Sequence, residues 1–412
     1  MLMCDWCEIK LGDVFDVKAG GDLQESFFSL SQSETTPYPI YSNSLNDNGL
    51  YGYTSNPRYP MNCVTITGRG EIGHAEYRET PFDAIVRLLV LIPKNEVDCK
   101  YITYYINHQV KFAIESTGVP QLPAPRIKKL KIKIPKIVSE QTAIASILSK
   151  VDDAIEATQN SIKAAEKLKK ALMQNLLTGK LKPDGTWRME DEYYVDEKYG
   201  KVPLGWSVKR LNDVFIVNEE SLPSKTEPSY KFKYIAIESV STEFIDFKSC
   251  PEFEFKDSPG RARRIIKDGD ILISGVRPNL KAFAIYNNPD AGNWICSTGF
   301  YVLTVKENQD SNFYFYQILS ENGAKQFHSY VAGSNYPAIG DRDIKNMRFL
   351  SPDFEEQKLI SAKFDLISKE NDKQINKIQT LQRLKKSLMQ NLLTGKIRVD
   401  VEKINELLNT KN

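Results

Sequence analysis

Gly68-Arg-Gly-Glu-Ile-Gly73 has the spacing of a dinucleotide-binding turn, where glycines let the backbone approach a pyrophosphate at a helix mouth. That chemistry needs a helix opening at the third glycine. His74-Ala-Glu-Tyr-Arg-Glu-Thr-Pro81 shows no amphipathic period before its proline, so the segment reads instead as a glycine-rich bend at a sheet edge or against DNA. Cys4-Asp5-Trp6-Cys7 is half of a zinc-site spacing, but no second pair or nearby histidine completes it. Asp353, Glu356 and Lys358 resemble a compressed nuclease carboxylate–lysine set, for which an N-terminal capping box is the better account. Histidines 74, 108 and 328 are scattered and offer no triad. There is no G-x-x-x-x-G-K-[ST] phosphate loop. Neither Asn56-Pro57-Arg58 nor Asn288-Pro289-Asp290 fits the Asn/Asp-Pro-Pro-aromatic run of an aminomethyltransferase. A non-catalytic chain without metal or cofactor is expected.

Positive charge is the remaining chemistry. Arg126, Lys128, Lys129, Lys131, Lys133 and Lys136 lie within eleven residues that contain no acid. Leu130, Ile132 and Ile134 alternate with them, predicting an edge strand with one apolar and one basic face; a merely solvated face is the competing reading. Arg261, Arg263, Arg264 and Lys267 cluster further on, followed by Arg277 in a Gly-Val-Arg-Pro-Asn turn. Loop arginines of this kind suit phosphate oxygens and guanine edges. Tyr51, Tyr53 and Tyr59 could pack on sugars or bases, although with 20 tyrosines most are structural.

The elements that must position these residues come from a duplication. Residues 168–180 and 384–396 match at twelve of thirteen positions, differing only at Ala171 and Ser387, with an offset of 216. Glu140-Gln141 falls on Glu356-Gln357 at the same offset, and Trp6, Leu11, Asp13, Val14, Phe15 and Val17 recur 200 residues later. Leu148, Val151, Ile155, Thr158, Ile162, Ala165, Lys169, Leu172 and Leu176 form a heptad seam. Phe364, Ile367, Asn371, Gln374, Ile378, Leu381, Lys385, Leu388 and Leu392 form the second. Gly179 and Gly395 suit the left-handed position that ends each helix. Helices of about 39 residues span ~58 Å. Each needs a partner for its seam, and the other copy is the obvious one, giving an intramolecular coiled coil. The near-identity of Lys169, Gln174 and Asn175 with Lys385, Gln390 and Asn391 points to one kind of partner protein bound by both copies.

The regions between are mixed. Strands are expected at Cys63–Thr67, Ala84–Pro93, Tyr234–Ile237, Asp270–Ile273 and Gly299–Val305, with a helix over Asn312–His328. The expected organisation is a mixed α+β region 1–135, a helix 136–180, a polar surface linker 181–205, a second α+β region 206–352, a helix 353–397 and an unassigned tail 398–412. Lys and Arg number 55 against 53 Asp and Glu, so a net charge of +2 hides local basic patches. No uncharged apolar run approaches a membrane span, no secretory signal is visible, and six cysteines are too few for a disulfide scaffold, which together suggest a cytoplasmic chain.

With these features in hand, the chain resembles the specificity subunit of type I restriction–modification systems over essentially its whole length. The resemblance rests on the two variable regions, each followed by a helix entered through a proline and Glu-Gln, and on Leu-Leu-Thr-Gly-Lys at both helix ends. Tyr38-Pro-Ile-Tyr41, Gly68-Arg-Gly70, Tyr234-Ile, Gly269-Asp-Ile-Leu272 and Thr298-Gly-Phe300 add to it. It implies an α+β fold of two target-recognition domains separated by two long antiparallel coiled-coil helices, with a pseudo-two-fold internal repeat. Each domain would read one half of a bipartite, asymmetric site on double-stranded DNA, and the helices would act as a ruler for the spacer. The implied partners are two modification methyltransferase subunits, with restriction/translocase subunits, and no membrane. Candidate DNA-contacting residues are Arg58, Arg69, His74, Arg126, Lys128, Lys129, Arg261, Arg263, Arg264, Arg277 and Arg342. A methylation-only complex, or a coiled-coil scaffold that never touches DNA, are the alternatives.

Overall fold

The structure is a computed structural model, and it describes residues 6–112, 120–197, 199–287, 290, 292–331 and 338–409. The chain forms two compact units, Met1–Asn160 with Gln374–Asn412, and Ser161–Lys373. Cys4 of the CxxC pair lies outside the described residues.

In the first unit, Trp6–Lys10 pairs antiparallel with Lys131–Pro135. The alternation read in the basic run holds on this strand, with Ile132 and Ile134 buried and Lys131 and Lys133 exposed. The run is not one strand, however. Ala124–Lys128 is a short helix with proline in its first turn, where a fixed φ and a missing N–H are harmless, so Arg126 and Lys128 leave the strand face. Phe15–Ala19, Leu89–Pro93, Cys63–Ile66 and Ala75–Arg78 make an antiparallel sheet in that order. A second sheet orders Phe28–Ser29, Leu50–Thr54, Tyr38–Tyr41 and Asp83–Ala84, its last pair parallel. The apolar run Ala84–Pro93, expected as one buried strand, is therefore split between the two sheets. Val86 and Arg87 turn the chain with φ of 54° and 61°, a left-handed backbone through which no β-ladder can run. Leu11, Phe15, Leu91, Ile102 and Leu148 form the core with Leu392 and Leu393.

The second unit repeats this plan. Ser207–Arg210 pairs with Arg348–Ser351, and Phe215–Val217, Phe300–Val305, Ile271–Ser274 and Phe283–Ile285 make the antiparallel sheet. The other sheet orders Glu252–Glu254, Lys231–Ile235, Trp294–Ser297 and Ala262–Ile265, with its middle pair parallel. The helix expected over 312–328 is two, Ser311–Leu319 and Glu321–Val331, broken at Ser320. Glycine is required at 323, since a Cβ there would lie 2.1 Å from the Ile318 carbonyl oxygen. The linker is more than a surface connector. Tyr193–Asp196 and Gly200–Pro203 form a hairpin, and Val202 is buried among Trp206, Phe313 and Phe364.

The long helices are Val138–Leu176 and Phe354–Leu392, 39 residues each. All eighteen seam positions are buried or half-buried. Gly179 and Gly395 take φ of 68° and 70°, as their C-terminal role demands. Only half of the capping box forms: Asp353 Oδ1 accepts from the Glu356 amide at 2.8 Å, while the Glu356 carboxylate turns elsewhere. Lys169 and Lys385 are not free surface residues. Lys385 lies 2.6 Å from Asp152 and over the Tyr104 ring; Lys169 donates to Ser368 at 2.7 Å and lies over the Tyr316 ring. Internal packing thus engages the two lysines, whereas Gln174 and Gln390 are exposed.

Candidate nucleic-acid interface

Each recognition region is locked to its helix by the Glu-Gln pair. The Gln141 side chain accepts from the Asp98 amide (3.0 Å) and donates to the Pro135 carbonyl (2.8 Å). Gln357 does the same with Asp310 (2.8 Å) and Pro352 (2.9 Å). Asp98 and Asp310 in turn cap the helices Cys99–Gln109 and Ser311–Leu319 through the Tyr101 and Phe313 amides. Buried amides with all polar groups engaged fix geometry, because misplacing them strands several partners at once.

The neighbouring glutamates bind arginines from far along the chain. Glu356 accepts from Arg188 at 2.7 Å and from Trp206 Nε1 at 2.9 Å. Glu140 takes two bonds of 2.6 Å from Arg398, which gives the tail a role; Val401–Asn409 follows as a helix. The linker and the tail thus perform one task in the two units. Trp6, the counterpart of Trp206, is buried, and its Nε1 has no hydrogen-bond partner among the described residues.

Beyond these joints, loops converge at the ends of the sheets. In the first domain the Asn43 side chain accepts from the Gly68 amide at 2.7 Å and donates to the Val86 carbonyl at 2.6 Å. It joins the glycine bend to the left-handed turn. Thr67 Oγ1 closes the bend by donating to the Glu71 carbonyl (2.6 Å) and accepting from the His74 amide (2.9 Å). No helix opens at Gly73, and Ala75–Arg78 follows as a strand. In the second domain the Gly275 amide donates directly to the Gly299 carbonyl at 2.9 Å, and the Thr298 amide to the Arg261 carbonyl at 2.8 Å.

The candidate DNA residues divide by what holds them. Arg58 forms a two-pronged pair with buried Asp83 (2.6 and 2.9 Å), which raises its pKa by hydrogen bonding, and it supports the sheet edge. His74 bonds Glu76 at 2.8 Å. Arg263 lies 4.6 Å over the Phe255 ring, and Arg264 donates to Ser221 at 3.0 Å. Lys267, exposed between Glu219 and Glu220, is held above its usual pKa by both carboxylates, which neutralise it. Lys128, Lys129, Arg261 and Arg342 are exposed, without a side-chain hydrogen bond or ion pair among the described residues. Arg69 is half-buried, its Nε unpartnered, in the bend beside Asn43's bond. Arg126 is half-buried; Arg277 is exposed on the turn before Pro278–Leu280. The Arg87 carbonyl lies against Gly68, the residue before Arg69, and the Arg261 carbonyl is bound by the Thr298 amide beside the Gly275 loop.

Sequence reasoning missed Arg87, Asn43 and Arg78. Arg87 showed in the sequence only as the one charge in an apolar run. Arg78 is buried between Thr65 (2.9 Å), the Asn48 carbonyl (2.8 Å) and the Tyr41 ring, with its pKa lowered by burial. It holds the 42–49 loop from below. Among the described residues no cluster of His, Cys, Asp and Glu could hold a metal ion, and no helix is long and apolar enough to cross a membrane.

Two copies of one mixed α/β domain, each joined to a long helix and each ending in basic loops, define a duplicated recognition chain. The family described as "Type I restriction modification DNA specificity domain" matches residues 3–167 and 203–385, and the chain belongs to that family. It is 24% identical over 326 residues to the type I restriction enzyme MjaVIII specificity subunit of Methanocaldococcus jannaschii, covering 76% of this chain and 73% of that protein. The MjaIX specificity subunit of the same organism is 24% identical over 360 residues, 83% of this chain and 79% of the relative. The crystal structure of a type I restriction–modification S subunit from M. genitalium superposes with a TM-score of 0.61 at 16% identity, covering 94% of this chain and 96% of that one, a likeness of fold.

Proposed function

We propose that this chain is the non-catalytic DNA-reading subunit of a type I restriction–modification complex, in which each domain reads one half of a bipartite, asymmetric site. The observation that supports this best is the unequal divergence of the two copies. Their helix joints repeat through Gln141 and Gln357, and each neighbouring glutamate holds an arginine, while their loop tips carry different arginines. A protein that holds one enzyme twice and reads two different sequences needs that combination. In this reading the two long helices pair as an antiparallel coil that sets the spacer, since half-sites one turn apart are ~34 Å from each other. The same helices dock two modification subunits, and restriction/translocase subunits join them. Arg261, Arg277, Arg69, Lys128 and Lys129 are the members of the candidate set best placed for DNA, through backbone-positioning and base contacts.

The experiment is to map methylated adenines in a host carrying the modification subunit with and without this chain. A new two-part motif with an unspecified gap is the expected result. Methylation of a continuous motif, or none beyond the control, would overturn the reading and leave the scaffold alternative.

A further inference from the structure

The loop tips of the two domains can be compared residue for residue. Ile66 pairs with Leu89, and Ile273 with Tyr301, in equivalent strand ladders. Two residues beyond Ile66 and Ile273 stand Gly68 and Gly275. The Gly68 carbonyl accepts from the Leu122 amide at 2.9 Å, and the Gly275 carbonyl from the Ile339 amide at 3.0 Å. The next residues, Arg69 and Val276, bridge to Gln121 and Ala338. Gly70 therefore corresponds to Arg277, and both are left-handed, with φ of 71° and 49°. Two residues before Leu89 and Tyr301 stand Arg87 and Gly299, and the carbonyl of each faces the glycine loop. The two tips thus exchange arginine and glycine: Gly70 with Arg87 in the first domain, Arg277 with Gly299 in the second.

The backbone at both arginines is one that an arginine disfavours. Ten described non-glycine residues have positive φ, and five of them are Asn or Asp, which tolerate it. Arginine does not, and glycine would relieve the strain at either site. Strain of this kind persists where a side chain is wanted for another purpose. The Arg87 side chain is exposed and makes no hydrogen bond or ion pair among the described residues, and it follows Val86, itself left-handed and 48% exposed. The turn is held by the Asn43 bond and by the Val86 and Arg87 amides donating to the Gly21 and Gly20 carbonyls. In the second domain, Arg277 has Leu280 beside it, 66% exposed. A guanidinium on a rigid tip next to an aliphatic side chain matches a guanine edge beside a thymine methyl in the major groove.

We propose that Arg87 reads a guanine in one half-site and Arg277 a guanine in the other, each donating two N–H groups to O6 and N7. This rests on the DNA-reading function above. The test is selection of bound duplexes from a randomised library by the full chain in complex with its modification subunits, comparing wild type with Arg87→Gly, Arg87→Lys and Arg277→Gly. Arg87→Gly is expected to melt at the same temperature as wild type or higher, yet to lose preference for one guanine in one half-site by about 10- to 100-fold. Arg277→Gly should do so in the other half only. Arg87→Lys keeps the charge but not the paired donors, and it should lose the same guanine. If Arg87→Gly proves unstable, Arg87→Lys decides the matter by itself. A selected motif left intact, or binding weakened equally for all sequences with a salt slope lower by about 1, makes Arg87 a bystander or a phosphate contact and overturns the proposal. If wild type selects no motif, the DNA-reading function itself has failed, a result distinct from the other two.

Discussion

The two recognition domains share three strands of their mixed sheet and differ in the fourth. The first adds Phe28–Ser29 beside Leu50–Thr54 at one edge; the second adds Ala262–Ile265 beside Trp294–Ser297 at the opposite edge. At that position the first domain has only the single bridge between Tyr59 and Phe82. The arginines 263 and 264 thus ride on a strand with almost no counterpart. Divergence is confined to edges and tips, where a strand or loop can change without disturbing a core. The glutamine joints to the helices, which engage buried polar groups, have stayed the same.

The comparison can be broken most severely at the carboxylates. Arg398→Ala removes the paired donors of Glu140, a carboxylate 3% exposed, and should cost about 3–5 kcal/mol in chemical denaturation. Arg188→Ala should cost less, because Glu356 keeps Trp206 Nε1. An equal or larger loss for Arg188→Ala would show that its bond to the Gly179 carbonyl and its place over the Trp206 ring outweigh what the indole retains. Next in size, Gln141→Leu and Gln357→Leu each strand a backbone amide and a carbonyl, for about 2–3 kcal/mol. The two values should agree within about 0.5 kcal/mol if the joints are equivalent, and a wide gap in melting would deny that the frame is shared. Trp206→Phe loses a bond to a charged acceptor and should destabilise by roughly 1.5–3 kcal/mol in addition to its packing loss. Trp6→Phe removes a buried N–H that has no partner among the described residues, so only the packing loss is expected from it. The smallest effect belongs to Lys385→Met, about 1 kcal/mol or less, since a partly exposed pair with Asp152 is screened by solvent. Unfolding curves that left Lys385→Met among the worst variants would contradict this order.

Much of the frame was legible because its signals are local. A seam repeating every three and four residues gives a helix whatever surrounds it, and its 39-residue length followed from the seam and the terminal glycines. The duplication fixed the domain plan in the same way. The tips and joints were not legible, since their partners are distant in sequence: Asn43 and Val86 are 43 residues apart, Glu140 and Arg398 are 258. Arg87 was hidden by a different effect. Its neighbours from Ile85 to Leu91 are apolar, and hydrophobic pattern cannot reveal a change in the sign of φ. The Glu-Gln pair was recognised as a motif, but its chemistry needed the amides of Asp98 and Asp310 beside it.

The division of the long helices has a consequence for synthesis. The second unit is one continuous stretch, Ser161–Lys373, whereas the first needs Gln374–Asn412 to supply Leu392, Leu393 and Arg398. At about 5–20 residues per second, the first recognition domain waits roughly 12–48 s on the ribosome before those residues are made. The domain made first is therefore predicted to be finished last. Nascent chains arrested before Gln374 should then show protease-sensitive residues 6–160, next to a second domain that is already resistant.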